Sequence, residues 1–342
     1  MMFSLLSLPS VALIEVFQRF DPVQIICLSL CSRKSTTLVK HLWKAPKNWT
    51  VTILARGQTN RWTLSAYGKH YFIGAENESC YYYRPVIPCK IQYPVHGECC
   101  IADNGILEIF YEARLMGLEK LTIHICEFFK GNITEIELHG TSGIWMVDWI
   151  KGRQIGKLKK ISGHFTKAIT EAEYNTIMSC DVIESMMLLG EIPEDIIVSG
   201  NLPPTKILRL DYAPWLIMNQ LRAMQSEIFL CRHTTKLSNA NVNEFIRHWL
   251  NGGYPQLKYI EIGKSYLSHQ AVYQGVLERL ERVANERTYA WNNAGQIEYI
   301  TIGPSNRSYD IRRDDGVVAS TFLSVGVFSM VVWPDAFNQN VV

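Results

Sequence analysis

Charge of one sign is what this sequence lacks most plainly: 34 Lys and Arg stand against 32 Asp and Glu, a net of +2. Without a basic excess there is no electrostatic reason to expect a nucleic-acid or membrane partner. The one dense basic run, Lys157-Leu158-Lys159-Lys160, is short enough to be a solvated strand entry. Long hydrophobic runs are missing too. The longest apolar stretch near the end, Phe322 to Trp333, carries Ser and Gly and falls short of the about 20 residues that span a bilayer. No Lys or Arg precedes Arg19, and Glu15 interrupts the first apolar stretch, so a secretory leader is not expected. The nine cysteines are odd in number, irregularly spaced and free of any C-x-x-C. That leaves no support for a metal site and points to reduced thiols in a cytoplasmic or nuclear protein. The four N-x-S/T sequons, at Asn48, Asn77, Asn132 and Asn306, are then chance matches.

Catalytic signatures are absent as well. No G-x-S-x-G occurs, and Gly140-Thr141-Ser142-Gly143 lacks the spacer of a nucleophile elbow. Gly152 to Lys157 is one residue short of a phosphate loop, with Leu158 where a magnesium-binding hydroxyl belongs, and reads as a turn. No H-E-x-x-H appears and the nine histidines are scattered; His248, beside Trp249, reads as a surface or packing residue. Asp314-Asp315-Gly316 lacks the oxygen ligands that follow in a calcium loop. The expectation is a protein that is not an enzyme and needs no cofactor.

What is present is a chain that is 47% hydrophobic and 19% charged over 342 residues, enough for one small module and one larger unit. Its most informative stretch is Leu8 to Arg33. Leu8-Pro9 opens a first helical turn, where proline's missing N–H costs nothing, with Ser10 available as a cap. Leu13, Val16, Phe17 and Phe20 recur at three- and four-residue steps, marking one apolar helical face. Asp21-Pro22 repeats the start signal, and Ile25, Ile26, Leu28, Ser29 and Leu30 follow. Cys27 and Cys31 share a face of this second helix. Ser32-Arg33-Lys34 begins a polar segment, and 36–48 reads as a connector. Two helices this short cannot hide that much apolar surface from each other, so the excess is expected to meet a partner or the rest of the chain.

From Trp49 short strands are expected, Val51 to Leu54 and Trp62 to Leu64, with Tyr81 to Tyr83 more simply a packed strand than a recognition patch. Farther on, β-like runs recur at 118–125, 133–140, 158–165, 184–192, 205–212, 227–233 and 257–263. Helical patterns lie between several of them: Glu171 to Met178, Asn241 to Leu250 with Gly252-Gly253 as its stop, and Ala271 to Val283. Serial strand–helix units imply parallel pairing, and the loose period suggests a degenerate leucine-rich-repeat-like solenoid, with a non-repetitive α/β layer as the other reading. Asp315-Gly316 signals a two-residue hairpin whose strands could seal the edge of that sheet. The fold class expected is therefore α+β or α/β: a small helical module, a strand–helix domain and a C-terminal antiparallel hairpin.

The N-terminal segment resembles an F-box, carried by Leu8-Pro9, Ile14, Val16, Phe17, Phe20, Asp21-Pro22, Ile25, Ile26, Leu28, Ser29 and Arg33, with Ala12 and Ser35 departing from the pattern. The runs 245–262 and 311–333 resemble the type 2 F-box-associated domain of a nematode-expanded family, on Phe245, Trp249, Leu250, Leu257, Asp315-Gly316, Val332 and Trp333. The resemblance implies a substrate-receptor subunit of a Skp–cullin–F-box ubiquitin ligase. It places the F-box at residues 3–45 and a substrate-binding region at 49–335, with the associated domain at about 180–335. Leu8, Pro9, Val16, Phe17, Ile25, Ile26 and Leu28 would dock the Skp-type adaptor and, through it, a cullin. An unidentified target protein would bind outward strand positions, for which Arg209, Asp211, Arg232, His233 and Glu261 are the candidates. The other expectation is a non-ligase interaction module whose N-terminal helices cap its own core.

Overall fold

The computed structural model describes residues 5–44, 50–56, 59–66, 69–77, 89–91, 97–101, 107–111, 114–130, 132–141, 143–165, 169–293, 296–324 and 326–333. The Tyr81 to Tyr83 run lies outside them. The architecture is α+β, divided into two compact units, Met1–Gly143 and Ile144–Val342. Among the described residues no helix is long and apolar enough to cross a membrane.

The first unit begins with α1 (Ser10–Arg19), α2 (Pro22–Cys31) and α3 (Arg33–Leu42). Pro9 is the N-cap residue of α1 and Ser10 makes no capping bond. The α2 start is built as its residues imply. Pro22 occupies the first turn, Asp21 Oδ1 accepts from the Gln24 N–H at 2.8 Å, and Gln24 Oε1 accepts from the Asp21 N–H at 3.1 Å. The connector expected from residue 36 is instead the body of α3: Ser32 and Ser35 cap its start reciprocally, and Ser35, Thr36 and Val39 are buried at helical spacing.

Strands β1 (Thr50–Arg56), β2 (Thr59–Ala66), β3 (Lys69–Asn77), β4 (Cys89–Ile91), β5 (Gly97–Ile101) and β6 (Leu107–Tyr111) follow, then α4 (Arg114–Phe129) and β7 (Asn132–His139). β1, β2 and β3 form an antiparallel meander; β7 runs parallel to β1 and β6 parallel to β3, while β5 and β4 extend the far edge antiparallel. The run at 118–125 is not a strand. Its alternation, from Lys120 to Ile125, sits inside a longer 3.6-residue pattern in which Leu121, Ile125 and Phe128 are buried and Glu119, Lys120 and Glu127 exposed.

In the second unit α5 (Trp145–Arg153) precedes β8 (Leu158–Phe165), α6 (Glu171–Met178), β9 (Val182–Gly190), β10 (Ile207–Leu210), α7 (Met218–Arg222), β11 (Ile228–Cys231), α8 (Asn239–Leu250) and β12 (Tyr259–Gly263). β8 to β12 are consecutive parallel neighbours. The strands are apolar on both faces, as β11 with four buried residues illustrates. On one face Phe245 of α8, in edge contact with Phe328 at 6.4 Å, covers the sheet. On the other, Ile207, Ile228, Leu230, Tyr259 and Val331 pack with Tyr289 and Ile302.

The helix expected over 271–283 ends early. α9 (His269–Val272) gives way to a 3-10 turn at Leu277–Arg279 and to edge strand β13 (Leu280–Arg282). Gly275, with φ +69, is incompatible with a continuing helix. The strands β14 (Arg287–Asn293) and β15 (Gln296–Ile302) form a separate two-stranded sheet. The closing strands β16 (Ser308–Arg312), β17 (Val318–Leu323) and β18 (Val327–Val332) are antiparallel, and β18 seals the edge of β12. Their turn is longer than two residues. The Gly316 N–H donates to Arg313 O at 3.0 Å and Gly316 alone takes the left-handed conformation, φ +90, so this is a type I turn followed by a glycine bulge.

Candidate functional site

Two surfaces gather the candidate residues. In the first unit, Phe17, Ile25 and Ile26 are fully buried with Leu13 and Leu30, and Val16, Leu28 and Leu8 are half-buried. Pro9 is exposed, and so is Val11, 75% accessible, a position the apolar periodicity did not single out because it lies off the stripe. The apolar residues of these helices that keep solvent exposure thus include Pro9 and Val11, exposed, and Leu8, Val16 and Leu28, half-buried.

Their inner side meets the rest of the same unit. α2 lies against β3 and β4, and buried Ser29 of α2 meets His124 of α4 with Oγ and Nε2 3.0 Å apart. Burial, helped by the Lys40 charge, pushes His124 down to about 4 from its ordinary 6.5, so the imidazole is neutral. The α3 end leans on α4 through the Trp43–Phe128 stack, 5.8 Å between centroids, and the Lys40–Glu127 ion pair at 3.7 Å.

In the second unit the strand candidates converge at the carboxyl ends of β10 to β12. Register places Arg209 beside Leu230, and Leu230 beside Glu261. Asp211, one residue past β10, receives Nε of both Arg209 and Arg232 at 3.6 Å. Sequence reasoning missed Glu298 of β15, 3.9 Å from Arg209 Nη1, and Asn293 of β14, which donates to Glu298 at 2.6 Å. The β14–β15 hairpin thus closes one side of a charged shelf. No local signal ties residue 298 to 209; only the hairpin's return over the sheet does. His233 stands beside this cluster, stacked on Tyr212 at 4.6 Å with the rings 6° apart, and Tyr212 donates to Glu194 at 3.1 Å. Glu261 accepts from Tyr259 at 2.8 Å, which together with burial keeps that phenol well above its usual range.

The chain thus joins a short three-helix segment to a larger α+β region. Comparison with protein families agrees: residues 5–46 match the F-box domain model, and residues 196–262 match the model described as F-box associated. F-box domains bind Skp-type adaptors within cullin complexes, and the pair supports an adaptor role in a ubiquitin ligase of that type. Both domains are typical of non-enzymatic adaptor proteins. No curated protein and no solved structure gives a significant match.

Proposed function

We propose that this chain is a substrate receptor of a Skp–cullin–F-box ubiquitin ligase and does no covalent chemistry itself. Residues 3–45 dock the adaptor, and residues 49–335, chiefly the associated domain at about 180–335, hold the target. Linking the two ends raises the target's local concentration near the ubiquitin-charged enzyme. The parallel series β8 to β12 serves as the platform, in the manner of a degenerate leucine-rich-repeat-like surface, with Arg209, Asp211, Arg232, His233 and Glu261 on its target side. The observation that carries the reading is the exposure of apolar Pro9 and Val11 on a segment that matches the F-box model. Pro9, Val11, Leu8, Val16 and Leu28 would touch the adaptor, while Phe17, Ile25 and Ile26 hold the helices in shape.

The test is co-purification of the full chain with a recombinant Skp-type adaptor. Val11→Asp and Val16→Asp should each cut affinity by about 2 kcal/mol or more, the typical loss at a buried interface anchor. Val11→Asp should do so with unchanged melting, since Val11 is exposed. A second reading, in which the helices only cap the chain's own core, is favoured by the packing of α2 on β3, β4 and α4. It requires that the wild-type chain bring down no adaptor.

A further inference from the structure

We propose that α4 is a fourth helix of the adaptor-docking module, and that His124 is the positioning residue through which it acts. This rests on the docking reading above. The match to the F-box model stops at residue 46, and neither family match reaches 114–129. Yet α4 touches the F-box helices at three neighbouring positions on one of its faces: His124 meets Ser29 of α2, Glu127 pairs with Lys40 of α3, and Phe128 stacks on Trp43 just past α3.

The Ser29 contact is the specific one. Ser29 is the one polar side chain among the non-proline residues that α2 buries, with Val23, Ile25, Ile26 and Leu30. Its single hydroxyl proton is given to Ile26 O at 2.8 Å, so the 3.0 Å contact is completed by His124 Nε2–H donating to Ser29 Oγ. Nε2 of the imidazole therefore carries a proton. Ser29 is in turn held from α3, where Thr36 Oγ1 donates to Ser29 O at 2.5 Å. One residue of α2 thus couples α2, α3 and α4.

That coupling fixes how α2 is rotated. Adjacent residues on a helix project about 100° apart. Holding Ser29 against α4 therefore turns half-buried Leu28 away from it. If α2 rolled even part of a turn, Leu28 would enter the core and the docking residues would lose a member. A polar lock serves this purpose better than an apolar contact, because a buried hydrogen bond has one satisfied geometry whereas aliphatic packing tolerates sliding.

The experiment measures the dissociation constant of the full chain for a recombinant Skp-type adaptor, with melting recorded for every variant. His124→Leu and Ser29→Ala should each weaken binding by about ten-fold, and the double variant no more than the weaker single, as for two partners of one interaction. His124→Gln, which keeps a donor within reach of Ser29, should stay within about two-fold of wild type. A merely stabilising role would move melting and leave the affinity of the folded protein unchanged; that result overturns the proposal. If His124→Leu fails to fold, Ser29→Ala decides, since it removes only a hydroxyl, and wild-type affinity in that variant overturns the proposal equally. A wild-type chain that binds no adaptor overturns the docking reading itself and is told apart by that control.

Discussion

The α2–α4 contact and the shelf at the ends of β10 to β12 both bring polar groups together, and they do so in opposite ways. Ser29 and His124 are buried, neutral and hydrogen-bonded with normal geometry. On the shelf, the Arg209, Arg232 and Glu298 contacts are at 3.6–3.9 Å, and Arg209 Nε and Asp211 Oδ1 make no hydrogen bond among the described residues. Buried groups that are fully satisfied specify one arrangement, whereas buried charged atoms left without a hydrogen bond carry a desolvation cost that new partners would relieve. The first contact fits a part that must hold its shape against one adaptor. The second fits a surface that reorganises around a target.

The comparison is broken most severely by emptying the helical core. Phe17→Ala removes a ring with no solvent exposure and should cost about 3–5 kcal/mol, as large-to-small substitutions of buried aromatics do. Chemical denaturation followed in the first unit checks this. A loss near zero would mean that the three helices are not packed as a core.

Acid is the next lever, through His124. His124 has an ordinary value of 6.5 and a folded value of about 4, so between these the unfolded chain binds the extra proton. Stability of the first unit is then full above pH 6.5, falls as pH drops toward 4, and levels off below it. At 1.36 kcal/mol per unit the loss amounts to roughly 3 kcal/mol. His124→Gln should remove this slope, because Gln does not titrate. A wild-type slope that survives the substitution would assign the acid sensitivity to other groups.

Much of this was readable from local signals. Asp21-Pro22 with Gln24 makes the α2 cap, Gly252 ends α8, and the strands from 132 to 263 follow their apolar runs, from β7, which buries Ile133, Ile136 and Leu138, to β12, which buries four of its five residues. The departures share a cause. Residues 120–125 alternate over six positions, and only the flanking residues to 114 and 129 reveal the helix. His124 finds Ser29 across 95 positions, and Glu298 reaches Arg209 only through the β14–β15 fold-back. Such pairings are set by tertiary packing, which no local pattern encodes. Val11 escaped for the opposite reason, since an exposed apolar residue breaks the amphipathic rule that exposes core positions.

The smallest effects discriminate within the shelf. Asp211 Oδ1 lies 3.6 Å from two guanidinium groups, and its side chain is 27% exposed. Asp211→Ala leaves Arg209, 18% exposed, with Glu298 alone at 3.9 Å, and should cost about 1–2 kcal/mol for an under-paired, partly buried charge. Arg232 is 56% exposed and, among the described residues, its one ion pair is the loose Asp211 contact. Arg232→Ala should therefore change stability by under about 0.5 kcal/mol, the usual scale for an exposed ion pair. Denaturation of the two variants side by side measures the difference. Equal losses would make Arg232 a structural member of the network and weaken its claim to meet a target. A silent Arg232→Ala, beside a costly Asp211→Ala, leaves a guanidinium whose position the fold maintains without needing it for stability, as expected of a side chain kept for recognition.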